Sequence, residues 1–106
     1  HITGGGLTDN VPRMLPDTLA AQFDPSTWSA PPIFRWLAER GQMEISEQYR
    51  ALNMGIGMVL AVSTANAATV LAAIPDARVI GEVVERSADG SAVLGLDASP
   101  RFAGRE

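Results

Sequence analysis

Arg78-Val79-Ile80-Gly81-Glu82-Val83-Val84-Glu85-Arg86, followed by Ser87-Ala88-Asp89-Gly90-Ser91-Ala92-Val93-Leu94-Gly95-Leu96, decides the fold class. The β-branched residues Val79, Ile80, Val83 and Val84 favour a strand over 78–86. Asp89-Gly90 is a hairpin signal, because a tight two-residue turn of the right hand needs positive φ. Residues 92–96 are therefore expected to return antiparallel. A hairpin among helical crossovers predicts an α+β fold, with helices packed on a mixed or mostly antiparallel sheet.

Working outward, residues 54–62 (Met-Gly-Ile-Gly-Met-Val-Leu-Ala-Val) are apolar on both alternations. That pattern suits a central strand covered on both faces. Gly55 and Gly57 lie on one side of it, where another backbone or a ligand would pass. Ser63 or Thr64 is expected to cap a helix over 65–74, which Pro75 ends. Upstream, Pro32 opens a helix over 32–40, with Ile33, Trp36 and Leu37 on one face and Gly41 as the stop. Ser46 is expected to cap the next helix, with Glu47 in its first turn, Tyr49 and Leu52 along it, and an end near Asn53.

Residues 19–23 read as a strand diluted by two alanines, and Asp24-Pro25-Ser26 as a turn. A short helix is expected over 9–15, capped by Asn10 and ended by Pro16. The domain then covers 1–97, and the small, charged residues 98–106 form a flexible tail.

At 106 residues the chain suffices for one core, and 46% hydrophobic content places it among globular proteins. Its net charge is −4 and it has no Lys, which argues against a nucleic-acid partner. Without Cys, disulfides, thiolate metal sites and Cys nucleophiles are excluded, and a single His excludes a multi-histidine site. The longest apolar run, 56–62, is too short to cross a bilayer. No secretory signal opens the chain. The reading is a soluble, cytoplasmic protein without a membrane partner. A chemical-looking segment at residue 1, with no Met before it, reads as a piece of a larger chain.

That segment is His1-Ile2-Thr3-Gly4-Gly5-Gly6-Leu7, followed by Asn10, Pro12 and Arg13. The run Gly4-Gly5-Gly6 is either a tight turn or a cradle whose N–H groups meet a phosphate. Spacing alone favours the turn, since neither the dinucleotide fingerprint nor the P-loop pattern is present. His1 is a catalytic base, a substrate ligand or a solvated residue. Arg13 binds phosphate or pairs with Asp9. Trp28, Phe34 and Trp36 read as core, as do Met54 and Met58. The acids are scattered as on solvated faces, and no pair resembles a metal or acid–base site.

Beyond composition and spacing, three quoted stretches carry a resemblance. His1-Ile2-Thr3-Gly4-Gly5-Gly6-Leu7, Asn10-x-Pro12-Arg13-x-Leu15-Pro16 and Asn53-Met54-Gly55-Ile56-Gly57-Met58 resemble the aminoimidazole ribonucleotide synthetase family, also called phosphoribosylformylglycinamidine cyclo-ligase. Trp28, Pro32-x-Phe34-x-Trp36-Leu37, Tyr49-Arg50 and Ile80-Gly81-Glu82-Val83 extend it in order to about residue 86. Leu52 stands where the family usually has an aromatic residue, and the chain after about residue 96 carries no family signal.

The resemblance implies the C-terminal domain of a purine-biosynthesis ligase. In the family reaction ATP activates the formyl amide oxygen of formylglycinamidine ribonucleotide, and the amidine nitrogen then closes the imidazole ring. It implies ATP and Mg²⁺, bound mainly by an N-terminal domain that this chain does not contain, a nucleotide substrate, and a homodimeric full enzyme. The implied phosphate-binding residues are Thr3, Gly4, Gly5, Gly6, Asn10 and Arg13, with His1 as the catalytic candidate. The isolated chain is expected to be inactive. The competing reading is a non-catalytic docking domain of a related ATP-dependent kinase or maturation protein.

Overall fold

The computed structural model describes residues 1–88 and 90–103. Its elements are α1 (Gly6–Asn10), a 3-10 turn (Val11–Met14), β1 (Leu19–Phe23), a second 3-10 turn (Pro25–Thr27), α2 (Pro32–Gly41), α3 (Ile45–Ala51), α4 (Thr64–Ala73), β2 (Gly81–Glu85) and β3 (Val93–Leu94). Helices and a small mixed sheet make the fold α+β, as the sequence predicts.

The strand order is β2-β1-β3. β2 lies antiparallel to β1, with Leu19 opposite Glu85 and Phe23 opposite Gly81. β3 lies parallel to β1 on its other side, with Ala21 opposite Val93 and Gln22 opposite Leu94. The expected hairpin is therefore corrected. The chain does reverse between β2 and β3, but the returning strand pairs with β1 instead of β2. The partner is set by which edge of β1 is free; Asp89, half of the expected turn, lies outside the described residues. Central placement also explains how β1 forms despite its alanines: Ala20 and Ala21 are buried, and their small side chains fit a strand flanked on both edges.

The core gathers Leu7 and Val11 with Phe23, Trp28, Tyr49, Met54 and Leu96. Tyr49 is fully buried, and its hydroxyl donates to the Ala98 carbonyl at 3.2 Å. Burial of this phenol pushes its pKa up to about 12. The Trp28 indole N–H donates to the Met54 carbonyl at 3.1 Å, so both large aromatics satisfy their polar ends. Asp24 accepts from the backbone N–H and the hydroxyl of Ser26, which close the Pro25–Thr27 turn and lower the carboxyl's pKa.

Within residues 98–103, assigned by sequence to the tail, Phe102 packs against this core. Ala30 and Phe102 form a parallel bridge, with Ala30 N–H donating to the Arg101 carbonyl at 2.8 Å. The Arg101 guanidinium donates to the Ser26 carbonyl at 2.6 Å. Residues 104–106 lie outside the described residues.

Helix positions need smaller corrections. α1 starts at Gly6, well before the expected 9–15, and Asn10 ends it instead of capping its start. α2 runs as expected, but its left-handed terminator is Gln42, at φ 52°. Its inward residues are Phe34 and Ala38, whereas Ile33, Trp36 and Leu37 face outward. The Arg40 guanidinium sits 5.1 Å above the Trp36 ring and shields it in part. α3 starts at Ile45, so Ser46 lies in the first turn and is not the cap.

The largest correction concerns 54–62. This stretch is no strand: after a turn at Met54-Gly55 the backbone runs on without a ladder partner among the described residues. Ile56 and Val59 touch the core, while Met58, Leu60 and Val62 are exposed. Gly55 sits against Pro31 and Gly57 faces open space, so the two do not share a crowded side. α4 forms close to its expected bounds but buries none of its residues. Apolar pattern without a covering layer leaves both elements at the surface.

Candidate functional site

Leu7 and Val11 plug α1 and its 3-10 continuation into the core, which fixes the backbone from which Asn10 and Arg13 project. The preceding strap, His1 to Gly5, crosses beside them and is tied down where Ile2 N–H donates to the Gly57 carbonyl at 2.9 Å. Between strap and helix lies an open cleft of about 360 Å³. His1, Ile2, Thr3, Asn10, Val11, Arg13, Met14 and Val59 line it.

Of the residues singled out by sequence, the structure thus brings together His1, Thr3, Asn10 and Arg13. No acid lines the cleft, and Arg13 is exposed, so a chain of net charge −4 presents a locally basic hollow here. Such a lining suits an anion: a guanidinium offers several donors in a plane that matches phosphate oxygens.

Asn10 connects the parts. Its amide nitrogen donates to the carbonyls of Thr3 (3.2 Å), Gly4 (3.3 Å) and Gly6 (2.8 Å). Its oxygen accepts from the Thr3 hydroxyl at 3.1 Å and from Arg13 Nη1 at 3.5 Å. The Arg13–Asp9 pair open in the sequence is not formed; Asp9 lies 3.7 Å from Arg50 Nε instead.

The three glycines are not among the lining residues. Gly6 is buried at φ 61°, and a β-carbon there would run into the Tyr49 carbonyl of α3. Gly5 has φ 98°, and a β-carbon would lie 2.7 Å from Asp9 Oδ2. The run therefore lets α1 start sharply and press on α3, a close approach that spacing cannot reveal.

Ile2, Met14 and Val59 are cleft residues that sequence reasoning did not select. Val59 was hidden by the strand reading, although its approach follows from the bond to Gly57. A second hollow of about 300 Å³, which no sequence motif marks, is lined by Thr8, Ser46, Arg50, Gly95, Asp97 and neighbours. It mixes Arg50 with Asp97, and Arg50 is already paired with Asp9.

Among the described residues, no three His, Asp or Glu side chains are close enough to hold a metal ion. No described helix is long and apolar enough to cross a membrane.

The family described as AIR synthase related protein, C-terminal domain, matches residues 1–93. A phosphoribosylformylglycinamidine cyclo-ligase of Aromatoleum aromaticum is 50% identical over 86 residues, covering 81% of this chain and 24% of that protein. Its counterpart in Chromobacterium violaceum is 48% identical over the same shares. The bifunctional purine biosynthetic protein PUR2,5 of Pichia angusta is 46% identical over 90 residues, which are 81% of this chain and 11% of the yeast protein. The chain thus spans about a quarter of the length of the bacterial relatives, 24% in both.

Proposed function

The chain belongs to the AIR synthase related family, as its C-terminal domain, and from that premise we propose that it is part of an ATP-dependent cyclo-ligase of purine biosynthesis. The reaction is closure of the imidazole ring of formylglycinamidine ribonucleotide to give aminoimidazole ribonucleotide. The activities for which these relatives are named support this reading.

The observation that carries this chain's share is the basic cleft shared by His1, Thr3 and Arg13. Arg13 takes the phosphate of the nucleotide substrate, and the Thr3 hydroxyl and the His1 imidazole flank it. The triglycine shapes the strap beside the site. Holding the substrate in one orientation is a large part of catalysis in a reaction of this kind. ATP and Mg²⁺ are held mainly by the N-terminal domain of the longer protein.

The exposed apolar residues of 58–62 and α4 form the face on which the protein's own N-terminal domain packs. The share of the relatives' length outside the match supports this, as does the domain's place within bifunctional proteins. The full enzyme is a cytoplasmic homodimer.

Two measurements test the reading. Calorimetric titration of the chain with ribose 5-phosphate should give saturable binding that Arg13→Ala weakens at least about tenfold, the loss expected for one charged hydrogen-bonding partner. A coupled assay of ADP release should detect no substrate-dependent turnover by this chain alone. Binding unchanged by Arg13→Ala, or turnover by the isolated chain, contradicts the proposal.

A further inference from the structure

We propose that Asn10 is a positioning residue of the cleft: it holds the His1–Gly6 strap and aims Arg13, and it makes no ligand contact itself. The inference rests on the reading of the cleft as a phosphate site, but it concerns how that site is built. The count of hydrogen-bonding groups carries it. A side-chain amide has two N–H donors and an oxygen with two lone pairs. Three carbonyls, of Thr3, Gly4 and Gly6, lie 2.8–3.3 Å from the Asn10 nitrogen. The Thr3 hydroxyl and Arg13 Nη1 both approach the oxygen, at 3.1 and 3.5 Å. Both ends are therefore occupied, and a ligand phosphate would find no donor left on this side chain.

The geometry couples two parts of the cleft through one group. The donor end gathers strap carbonyls from Thr3 to Gly6. The acceptor end reaches the guanidinium one helical turn further on, leaving most of its five N–H groups for a ligand. Carbonyls engaged by the Asn10 amide have part of their negative potential offset by its N–H groups, which lowers their repulsion of an anion in the cleft. An aspartate at this position would oppose three carbonyls with a carboxylate and compete with phosphate for Arg13.

The test uses the ¹⁵N-labelled chain, first without ligand. Asn10→Ala should shift the Arg13 Nε–H signal and the Gly4, Gly5 and Gly6 amide signals, while the Trp28 indole signal reports that the core is intact. Arg13→Ala should leave those glycine signals in place. With ribose 5-phosphate as the probe, both variants should weaken binding about tenfold or more, and Asn10→Asp should be at least as weak as Asn10→Ala.

Should Asn10→Ala lose the Trp28 signal, Thr3→Val decides. It removes only the hydroxyl on the Asn10 oxygen, and should shift the Asn10 side-chain amide and Arg13 Nε–H signals. The proposal is overturned if Asn10→Ala leaves the Arg13 and glycine signals unmoved, if Asn10→Asp binds like the parent, or if Thr3→Val moves neither signal. A parent chain that binds no ribose 5-phosphate overturns the phosphate reading instead, and the ligand-free spectra still decide the role of Asn10.

Discussion

Against residues 1–54, with 22 hydrophobic residues of 54, residues 55–85 are the more apolar stretch, with 19 of 31, yet they are the less buried. In the first region Leu7, Val11, Phe23, Trp28, Tyr49 and Met54 find one another and are buried. In the second, Leu60 is 55% exposed and Val79 58%, and α4 buries no residue at all. Apolar pattern therefore identifies residues meant to be covered, while burial depends on whether the covering layer is present. The first region supplies all but one of the buried residues of the core, Leu96 being the exception, and all but Val59 of the cleft lining. The second presents a surface that matches the proposed packing against the rest of a longer protein.

The largest effect expected from this contrast is at Gly6. Gly6→Ala puts a β-carbon against the Tyr49 carbonyl at φ 61°, where neither strand of backbone can yield cheaply. It should cost about 3 kcal/mol or more in urea unfolding, from combined clash and left-handed strain. Melting like the parent would show that α1 does not press on α3.

A paired truncation sharpens the comparison next. Leu7→Ala in the buried region should cost roughly 2–5 kcal/mol by cavity formation. Leu60→Ala in the exposed region should change stability by no more than about 0.5 kcal/mol. Equal losses would mean that both regions are covered in solution, for example by self-association.

A smaller effect concerns pH. Burial raises the Tyr49 phenol from 10.0 to about 12, so the folded state favours the neutral form. The stability this contributes is fully present below pH 10 and is lost as pH rises toward 12. Tyr49→Phe should flatten that alkaline decline while losing about 1 kcal/mol at neutral pH from the bond to Ala98. An unchanged alkaline slope would place the decline elsewhere.

What was legible in the sequence follows the same division. β1 and α2 stand where spacing, Pro32 and the turn after Phe23 put them, because those signals are local. The partner of β3 was not legible, since the choice between β1 and β2 is made by distant chain segments. Nor was the fate of 54–62, where a strand pattern lacks a neighbouring strand. At the site, convergence of His1, Thr3, Asn10 and Arg13 followed from short spacing along one strap and helix. The structural use of Gly5 and Gly6 did not, because it depends on Asp9 and on the Tyr49 carbonyl arriving from α3. Val59 joined the cleft only through the bond between Ile2 and Gly57.

The central claim is that the cleft between the His1–Gly5 strap and α1, closed by Val59, is a phosphate site in working order. Amide and side-chain chemical shifts during titration of the labelled chain with ribose 5-phosphate test it most directly. The account predicts saturable shifts at Thr3, Arg13 and Val59, with Ser46, Arg50 and Leu96 unmoved. Shifts confined to Ser46, Arg50 and Leu96, or no shifts at any concentration, would contradict it.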